Sequence, residues 1–355
     1  MTSEPTSARP GKVTIREVAE AAGVSLQTVS RVINNSPNVS AKVRDRVERA
    51  VAELHYSPSI AARRMGGSKS YMLLALNDRD RTIEDWRLRE GMDWVDQMLL
   101  GGMVTCAEHG YRMIFELVDT HSDNIERELT GALAALRPDG IILTPPHSDN
   151  ATIVQLLKER EVPCARIGGR DNLGGLLIRM DDRAAGARTV EYLAELGHRR
   201  IGFISGDPEY QLSAERTAGF KDSVQRLGLD SDRALMIEGD FGYASGEAAA
   251  IRLLDLDRPP TAIVASSDKM ALAVLTVARD RGIAIPDELS VIGFDDTPIA
   301  RTSVPPLTAI SQPVAEMTAC AARLLIERDM AAEHEPVIID FGLSVRNTTG
   351  PAPKG

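Results

Sequence analysis

Residues 24–34, VSLQTVSRVIN, place two kinds of side chain on one short helix. Val29, Val32 and Ile33 are apolar and suit burial. Leu26, Gln27 and Arg31 suit base edges: a glutamine can pair with adenine, an arginine with guanine, and a leucine can touch a thymine methyl. Ser25, Thr28, Ser30 and Asn34 are short donors suited to phosphate oxygens, to which a helix N-terminus adds its dipole. A second set of polar residues follows apolar runs along the rest of the chain: Asn77 and Asp78, Thr144, Gly168 and Arg170, Asp207, Asp240 with Phe241, Ser267 with Asp268, and Asp295 with Asp296. Carboxylates and amides beside a few aromatics suit a polyhydroxyl ligand. An aspartate after a strand is also often a helix N-cap, and Asp181 and Asp268 can serve as caps and nothing more.

The first set needs a small helical scaffold. Thr14 and Glu17 fit a capping box that opens a helix over IREVAEAA, and Gly23 ends it in the left-handed conformation. Ser25 caps a second helix over about residues 26–33, and Ser40 caps a third with an apolar stripe of Val43, Val47, Ala50, Val51 and Leu54. Two short helices at a Gly-Val-Ser junction form a helix-turn-helix, whose second helix lies in the major groove with its first turns at base edges. Thr14 joins Ser25, Thr28, Ser30 and Asn34 as an expected phosphate donor. Charge agrees: residues 1–69 hold 11 Lys+Arg against 6 Asp+Glu, whereas the remainder holds 30 against 45. A basic head on an acidic body suggests that only the head meets a polyanion.

The segment HYSPSIAARRMGGSKS continues the head. Ser57 can cap and Pro58 can open a helix of about two turns, too short to be stable alone in water. The stretch TIREVAEAAGVSLQTVSRVINNSPNVSAKVRDRVERAVAELHYSP resembles the DNA-binding head of the lac repressor and galactose repressor family. The resemblance implies that Leu26, Gln27 and Arg31 stand at base-reading positions, and that the following segment is a hinge helix. Paired hinge helices of a dimer would enter the minor groove through Ala62 and Arg63, with Met65 as an apolar wedge where leucine is usual. Ser59 stands where asparagine is common.

The body, from Tyr71, alternates apolar strands with amphipathic helices. YMLLAL, RMIFEL, GIILT, VPCARIG, LLIRM, RRIGFIS, ALMIEG, TAIVAS and LSVIGF are expected strands, followed by LTAI and VIIDF. Helices are expected near 93–109, 123–136, 151–160, 182–196, 214–227, 245–254, 268–281 and 313–329. This pattern belongs to doubly wound parallel sheets, with ligands beyond the C-terminal strand ends. So many strands favour two Rossmann-like subdomains with a cleft between them.

The segments MDDRAAGARTVEYLAELGHRRIGFISG, AERTAGF, SSDKMAL and LSVIGFDDTPIARTSVPPLTAISQP are similar to the effector-binding core of the same family, which itself resembles periplasmic sugar-binding proteins. By that resemblance Arg216 and Asp295 clamp sugar hydroxyls and Phe241 stacks on the ring. Ser267 stands where a polar amide is common. The implied crossings between subdomains lie near 169–175, 308–312 and 341–343. The resulting division is an arm over 1–11 without fixed structure, a helix-turn-helix domain over 12–57, a hinge over 58–69 and a core over 70–350. Within the core, subdomain 1 takes about 70–170 and 311–341, and subdomain 2 about 171–310 and 342–350. The charged segment NDRDRTIEDWRLREGMDWVDQ is longer than the family's loop there and is either a lid or a dimer-surface insert. Trp94 is the expected second stacking aromatic, and Trp86 is expected to be structural or at the surface.

The expectation is therefore an all-α helix-turn-helix head joined to an α/β core of two periplasmic-binding-protein-like subdomains. Its partners are double-stranded operator DNA, a sugar or glycoside effector and a second copy of the chain. The C-terminal leucine heptads that make tetramers in the family are absent, so a homodimer is expected. A transport receptor would share the body, but MTSEPTSARPGK has no apolar run after its charges and the head would be left without a role. An enzyme is disfavoured: there is no G-x-G-x-x-G after a strand, no P-loop and no convincing G-x-S-x-G elbow, and FGYASG matches the last only loosely. No catalytic residue, cofactor or metal is expected from the spacing of the six histidines and of Cys106, Cys164 and Cys320. With no membrane-length apolar run, a cytoplasmic location is expected.

Overall fold

The computed structural model describes residues 13–33, 38–56, 69–88, 93–170, 173–328 and 335–354. The expected arm (1–11), Asn34, the hinge segment with Ala62, Arg63 and Met65, and residues 89–92 of the charged insert lie outside the described residues. The chain divides after Tyr71 into a small helical unit and a large α/β unit.

The helical unit contains α1 (Ile15–Ala22), α2 (Leu26–Ile33) and α3 (Ala41–Glu53). Glu17 reaches back to the Thr14 N–H at 2.6 Å and to its hydroxyl at 2.9 Å, which fixes the start of α1. Gly23 ends α1 at φ 60. Val18, Ala22, Val29, Val32, Val47, Ala50 and Tyr56 close one apolar core beneath the three helices.

The larger unit holds two six-stranded sheets. Its elements run β1 (Met72–Asp78), α4 (Arg79–Leu88), α5 (Asp93–Glu108), β2 (Arg112–Val118), α6 (Ile125–Leu136), β3 (Gly140–Leu143), α7 (Ala151–Glu159), β4 (Cys164–Ile167) and β5 (Leu176–Arg179). They continue α8 (Asp182–Glu195), β6 (Ile201–Ser205), α9 (Gln211–Arg226), β7 (Met236–Glu238), α10 (Tyr243–Leu254), β8 (Ala262–Ala265), α11 (Asp268–Asp280) and β9 (Ser290–Asp295). The chain closes with α12 (Pro298–Thr302), β10 (Thr308–Ser311), α13 (Val314–Glu327), β11 (Val337–Ile338) and β12 (Gly342–Ser344).

The first sheet has the order β11-β5-β4-β3-β1-β2, and the second β12-β10-β9-β8-β6-β7. Among the described residues only the β10–β12 pair is antiparallel. Strands such as GIIL and AIVA are buried along their whole length, as expected of strands covered on both faces. In the first sheet α6 and α7 build one core with β1 and β3, while α13 packs on α5 and against β3, β4 and β5. In the second, α8 and α9 share a core with β6, β8 and β9, and α10 and α11 build another.

Three details depart from the sequence reading. The strand LLIR belongs to the first sheet, not to subdomain 2 from residue 171: Leu177 pairs with Arg166 in parallel register. The chain therefore first crosses between Arg179 and Asp182 rather than near 169–175. The cause is the turn before it, in which Gly168, Gly169, Gly174 and Gly175 all adopt positive φ. The buried Arg166 guanidinium pins that turn by donating to the carbonyls of Gly174, Ser148 and Arg170 at 2.7–2.9 Å. Second, the VIIDF strand is shorter than expected: only Val337–Ile338 pairs, with β5 in the first sheet, ahead of Gly342–Ser344 in the second. Third, much of the charged insert is the helix α4, which follows β1 directly.

Candidate functional site

On the helical unit, packing sorts the residues of α2. Val29 and Val32 point into the core, while Leu26, Gln27 and Arg31 remain exposed. Leu26 keeps 43% of its surface accessible, notable for a leucine on so small a unit. Ser25 caps α2: its hydroxyl accepts from the Thr28 N–H at 3.2 Å and shares a 2.9 Å hydrogen bond with the Thr28 hydroxyl. Ser30 is half-buried and Thr14 is exposed beside Glu17.

In the α/β unit, strand ends from both sheets converge on one cavity of about 150 Å³. Of the residues expected to bind an effector, Arg216, Asp295, Phe241, Ser267, Asp268 and Trp94 line it. Thr144 and Gly168 do not. The strand-end rule places a residue near a cleft but does not fix its direction. The Thr144 side chain is fully buried and donates to the Leu76 carbonyl at 2.7 Å, with the Asn77 amide oxygen 3.1 Å away. Gly168 lies in the loop after β4, where its N–H donates to the Ile178 carbonyl at 2.8 Å.

Arg216 is 2% exposed. It is held where α8 and α9 touch backbone to backbone: a Cβ on Gly186 would sit 2.2 Å from the Arg216 carbonyl oxygen, and one on Gly219 would sit 1.9 Å from that of Arg183. Its Nε donates to Asp182 at 2.8 Å and its Nη1 to the Ser266 carbonyl at 3.2 Å. Its Nη2 has no protein partner. Burial raises the pKa of the Asp182 carboxyl, and the paired Arg216 charge opposes that rise.

Ser267, not Asp268, caps α11. The Ser267 hydroxyl accepts from the Met270 N–H at 3.1 Å and donates to the Phe241 carbonyl at 2.8 Å. Asp268 instead holds the N–H and hydroxyl of Thr297 through Oδ2, at 2.7 and 2.9 Å, and leaves Oδ1 buried without a partner. Asp295 accepts from the Gln312 amide just after β10. Enclosure pushes the Asp295 carboxyl up to about 7, against the nearby Arg216 charge. Asp268 is raised well above the carboxylate range by burial and by repulsion from Asp295.

Phe241 (φ 70), Asp295 (φ 110) and Asp296 (φ 59) all have left-handed backbones. Such conformations cost non-glycine residues about 1–3 kcal/mol each and concentrate where function requires a particular side-chain placement. The Phe241 ring fits over Gly206, where a Cβ would lie 2.0 Å from it, and meets Tyr210 edge-on at 5.5 Å.

The sequence reading singled out Asn77 and Asp78 only as strand-end residues, and both line the cavity. Asp78 is fixed by Thr120 at 2.5 Å, and Thr120 in turn lies 3.0 Å from the buried His147 ring. The Asn77 amide nitrogen has no partner. Arg81, Thr82 and Asp85 from α4 also line the cavity, with Tyr210, Lys269, Thr297 and Gln312. Arg81 donates to the Asp240 carbonyl at 3.0 Å and lies over the Phe241 and Tyr210 rings, while Asp85 pairs with Lys269 at 3.2 Å. The α4 insert thus spans the cleft from the first sheet to loops of the second. Its charge was visible in the sequence, but its polar composition gave no apolar periodicity from which to read a helix.

The arrangement offers hydrogen-bond donors and acceptors on several sides, aromatic faces, and five carboxylates against three cations. Among the described residues no group of His, Cys, Asp or Glu could hold a metal ion, and no helix is long and apolar enough to cross a membrane.

Residues 14–59 match the model for bacterial regulatory proteins of the lacI family, and residues 190–349 match a periplasmic binding protein-like domain. The transcriptional regulator CelR of Thermobifida fusca is 34% identical over 349 residues, covering 96% of this chain and 99% of CelR. Among solved structures, a CelR–cellobiose complex aligns with a TM-score of 0.69 at 32% identity, covering 95% of this chain and 99% of that one. The lac repressor dimer bound to operator and the anti-inducer ONPF aligns with a TM-score of 0.76 at 26% identity, covering 96% and 100%. The helix-turn-helix unit, the paired sheets and the end-to-end similarity to CelR converge: the chain belongs to the LacI family of bacterial DNA-binding transcriptional regulators.

Proposed function

We propose that the protein is a cytoplasmic repressor that binds a palindromic operator as a homodimer and is controlled by a small carbohydrate-like effector in the core cleft. The observation that carries the effector assignment is a set of buried polar atoms without protein partners on residues lining one cavity: Arg216 Nη2, Asp268 Oδ1 and Asn77 Nδ2. Unmet buried donors and acceptors are costly, and a polyhydroxyl ligand satisfies both kinds. Phe241, Tyr210 and Trp94 supply faces for its ring. Arg216 and Asp295 clamp hydroxyls, with Asp268 and Ser267 fixing the wall around them.

DNA recognition rests on Leu26, Gln27 and Arg31 at base edges, with Thr14, Ser25, Thr28, Ser30 and Asn34 toward phosphates. Ala62, Arg63 and Met65 form the minor-groove hinge contact. Dimerisation is supported by α5, which exposes Leu100, Met103 and Val104 on neighbouring turns at 54%, 53% and 48%. The effector acts by preferring one of two relative positions of the subdomains. A preference of about 10–100-fold supplies roughly 1–3 kcal/mol of coupling to the operator-bound state.

The test is an electrophoretic mobility shift on a palindromic operator at moderate salt, with and without candidate sugars. A specific shift that a sugar changes is expected. Absence of a specific shift, with or without sugar, refutes the DNA assignment. A shift that no sugar alters refutes the effector assignment.

A further inference from the structure

The cleft does not end at the first cavity. The first cavity has a volume of about 150 Å³, room for no more than one sugar ring. Its boundaries are unequal. Toward the loops of the second sheet it is shut by α4, through the bond from Arg81 to Asp240, the stacking of Arg81 over Phe241 and Tyr210, and the Asp85–Lys269 ion pair. These two partners are largely buried, with 25% and 20% of their side-chain surfaces accessible.

Elsewhere the boundary is thin. Asp93, Trp94, Asp295, Thr297 and Gln312 line the first cavity and also a second one of about 920 Å³. The second cavity is formed by the crossings at 311–314 and 338–342 together with α12 and the start of α5. Its walls are amphipathic: the half-buried Trp94 and the exposed Ile338 stand among Gln97, Arg301, Thr302 and Glu316. A wall of mixed apolar side chains, donors and acceptors suits a second sugar ring, which has an apolar face and a rim of hydroxyls.

We infer that the effector site has two subsites and takes a saccharide of at least two rings, the terminal ring in the inner cavity and the next in the outer one, with the glycosidic bond passing Trp94. The inference rests on the saccharide reading of the cleft. It adds the direction of extension: ring substituents are tolerated on the Trp94 side and refused on the α4 side.

Isothermal titration of the full-length protein with matched pairs tests it: glucose against cellobiose and maltose, galactose against lactose, and xylose against xylobiose. At least one disaccharide is expected to bind about tenfold or more tightly than its monosaccharide. Gln97→Trp and, separately, Thr302→Trp place bulk at the outer cavity, on exposed residues that do not line the inner one. Each is expected to bring that disaccharide down to the monosaccharide's affinity while leaving monosaccharide binding and the melting temperature unchanged. Equal binding of mono- and disaccharides overturns the two-subsite inference and leaves the saccharide reading standing. So does wild-type disaccharide affinity in both folded variants. No binding by any sugar overturns both.

Discussion

The guanidinium carbon of Arg216 lies 3.7 Å from the centroid of the Phe294 ring. The same side chain pairs with Asp182, so one buried cation is held by a ring and a carboxylate, with Nη2 left over at the cavity. Removing only one member of a buried ion pair strands the other, which costs about 3–5 kcal/mol. Arg216→Ala should therefore lower unfolding stability by about that amount and abolish effector binding. Asp182→Asn should cost less, because a neutral amide can still accept from Arg216. Urea denaturation of the two variants compares them, and equal losses would show that the pair depends on the Asp182 charge and not on its hydrogen bond.

Asp295 titrates near neutrality. Its folded pKa is raised by enclosure to about 7, so the folded state binds more protons than the unfolded state between the ordinary carboxylate pKa and about 7. Stability then falls as pH rises through that window and levels off above it. Asp295→Asn should flatten this slope and melt higher than wild type at pH 8, by roughly 2–4 °C for each kcal/mol relieved, with little difference near pH 4. Effector affinity should move the opposite way, because the ionised carboxylate is the better hydroxyl acceptor. It should rise by up to about tenfold per pH unit below 7 and flatten above 8. Tighter binding at pH 5.5 than at pH 8 would contradict this role.

The Asp85–Lys269 pair ties α4 across the cleft and should slow escape of a bound ligand. Asp85→Ala should raise the dissociation rate roughly threefold to fivefold, the equivalent of about 1 kcal/mol, with little change in association. Adding Lys269→Ala to it should change little more. Stopped-flow kinetics separates the two rates. An unchanged dissociation rate would make the pair incidental to ligand retention.

Arg31 is exposed on α2 beside Gln27. Arg31→Ala should cost about 1–3 kcal/mol of specific binding and relax preference at one operator position per half-site. Competition between operator variants measures it, and full discrimination by the variant would move base reading to another residue.

Sequence carried the strand–helix alternation because its period depends on local burial. Strands such as AIVA and helices such as that from Asp182 fell close to their expected limits. Membership of a particular sheet is a long-range property. LLIR is apolar on both faces and would fit either sheet, so only its pairing with β4 decides. The same limit applies to the site. Asp295 and Thr144 both follow apolar strands, yet one lines the cavity and the other turns inward to hold Asn77. The α4 residues were hardest to place. Only Thr82 of that helix is buried, and its role comes from what it reaches across to touch.

The late return of α13 to the first sheet has a consequence for biosynthesis. Its start lies so close to α5 that a Cβ on Gly101 would fall 1.9 Å from the Ala315 carbonyl oxygen. Between these two helices the chain makes the whole second sheet except β12. During translation the second subdomain can therefore form while one apolar face of the first, around α5 and β3 to β5, still waits for its cover. That intermediate is the vulnerable one on the ribosome, and a chaperone that shields apolar surface would act most usefully there, before the last few dozen residues emerge.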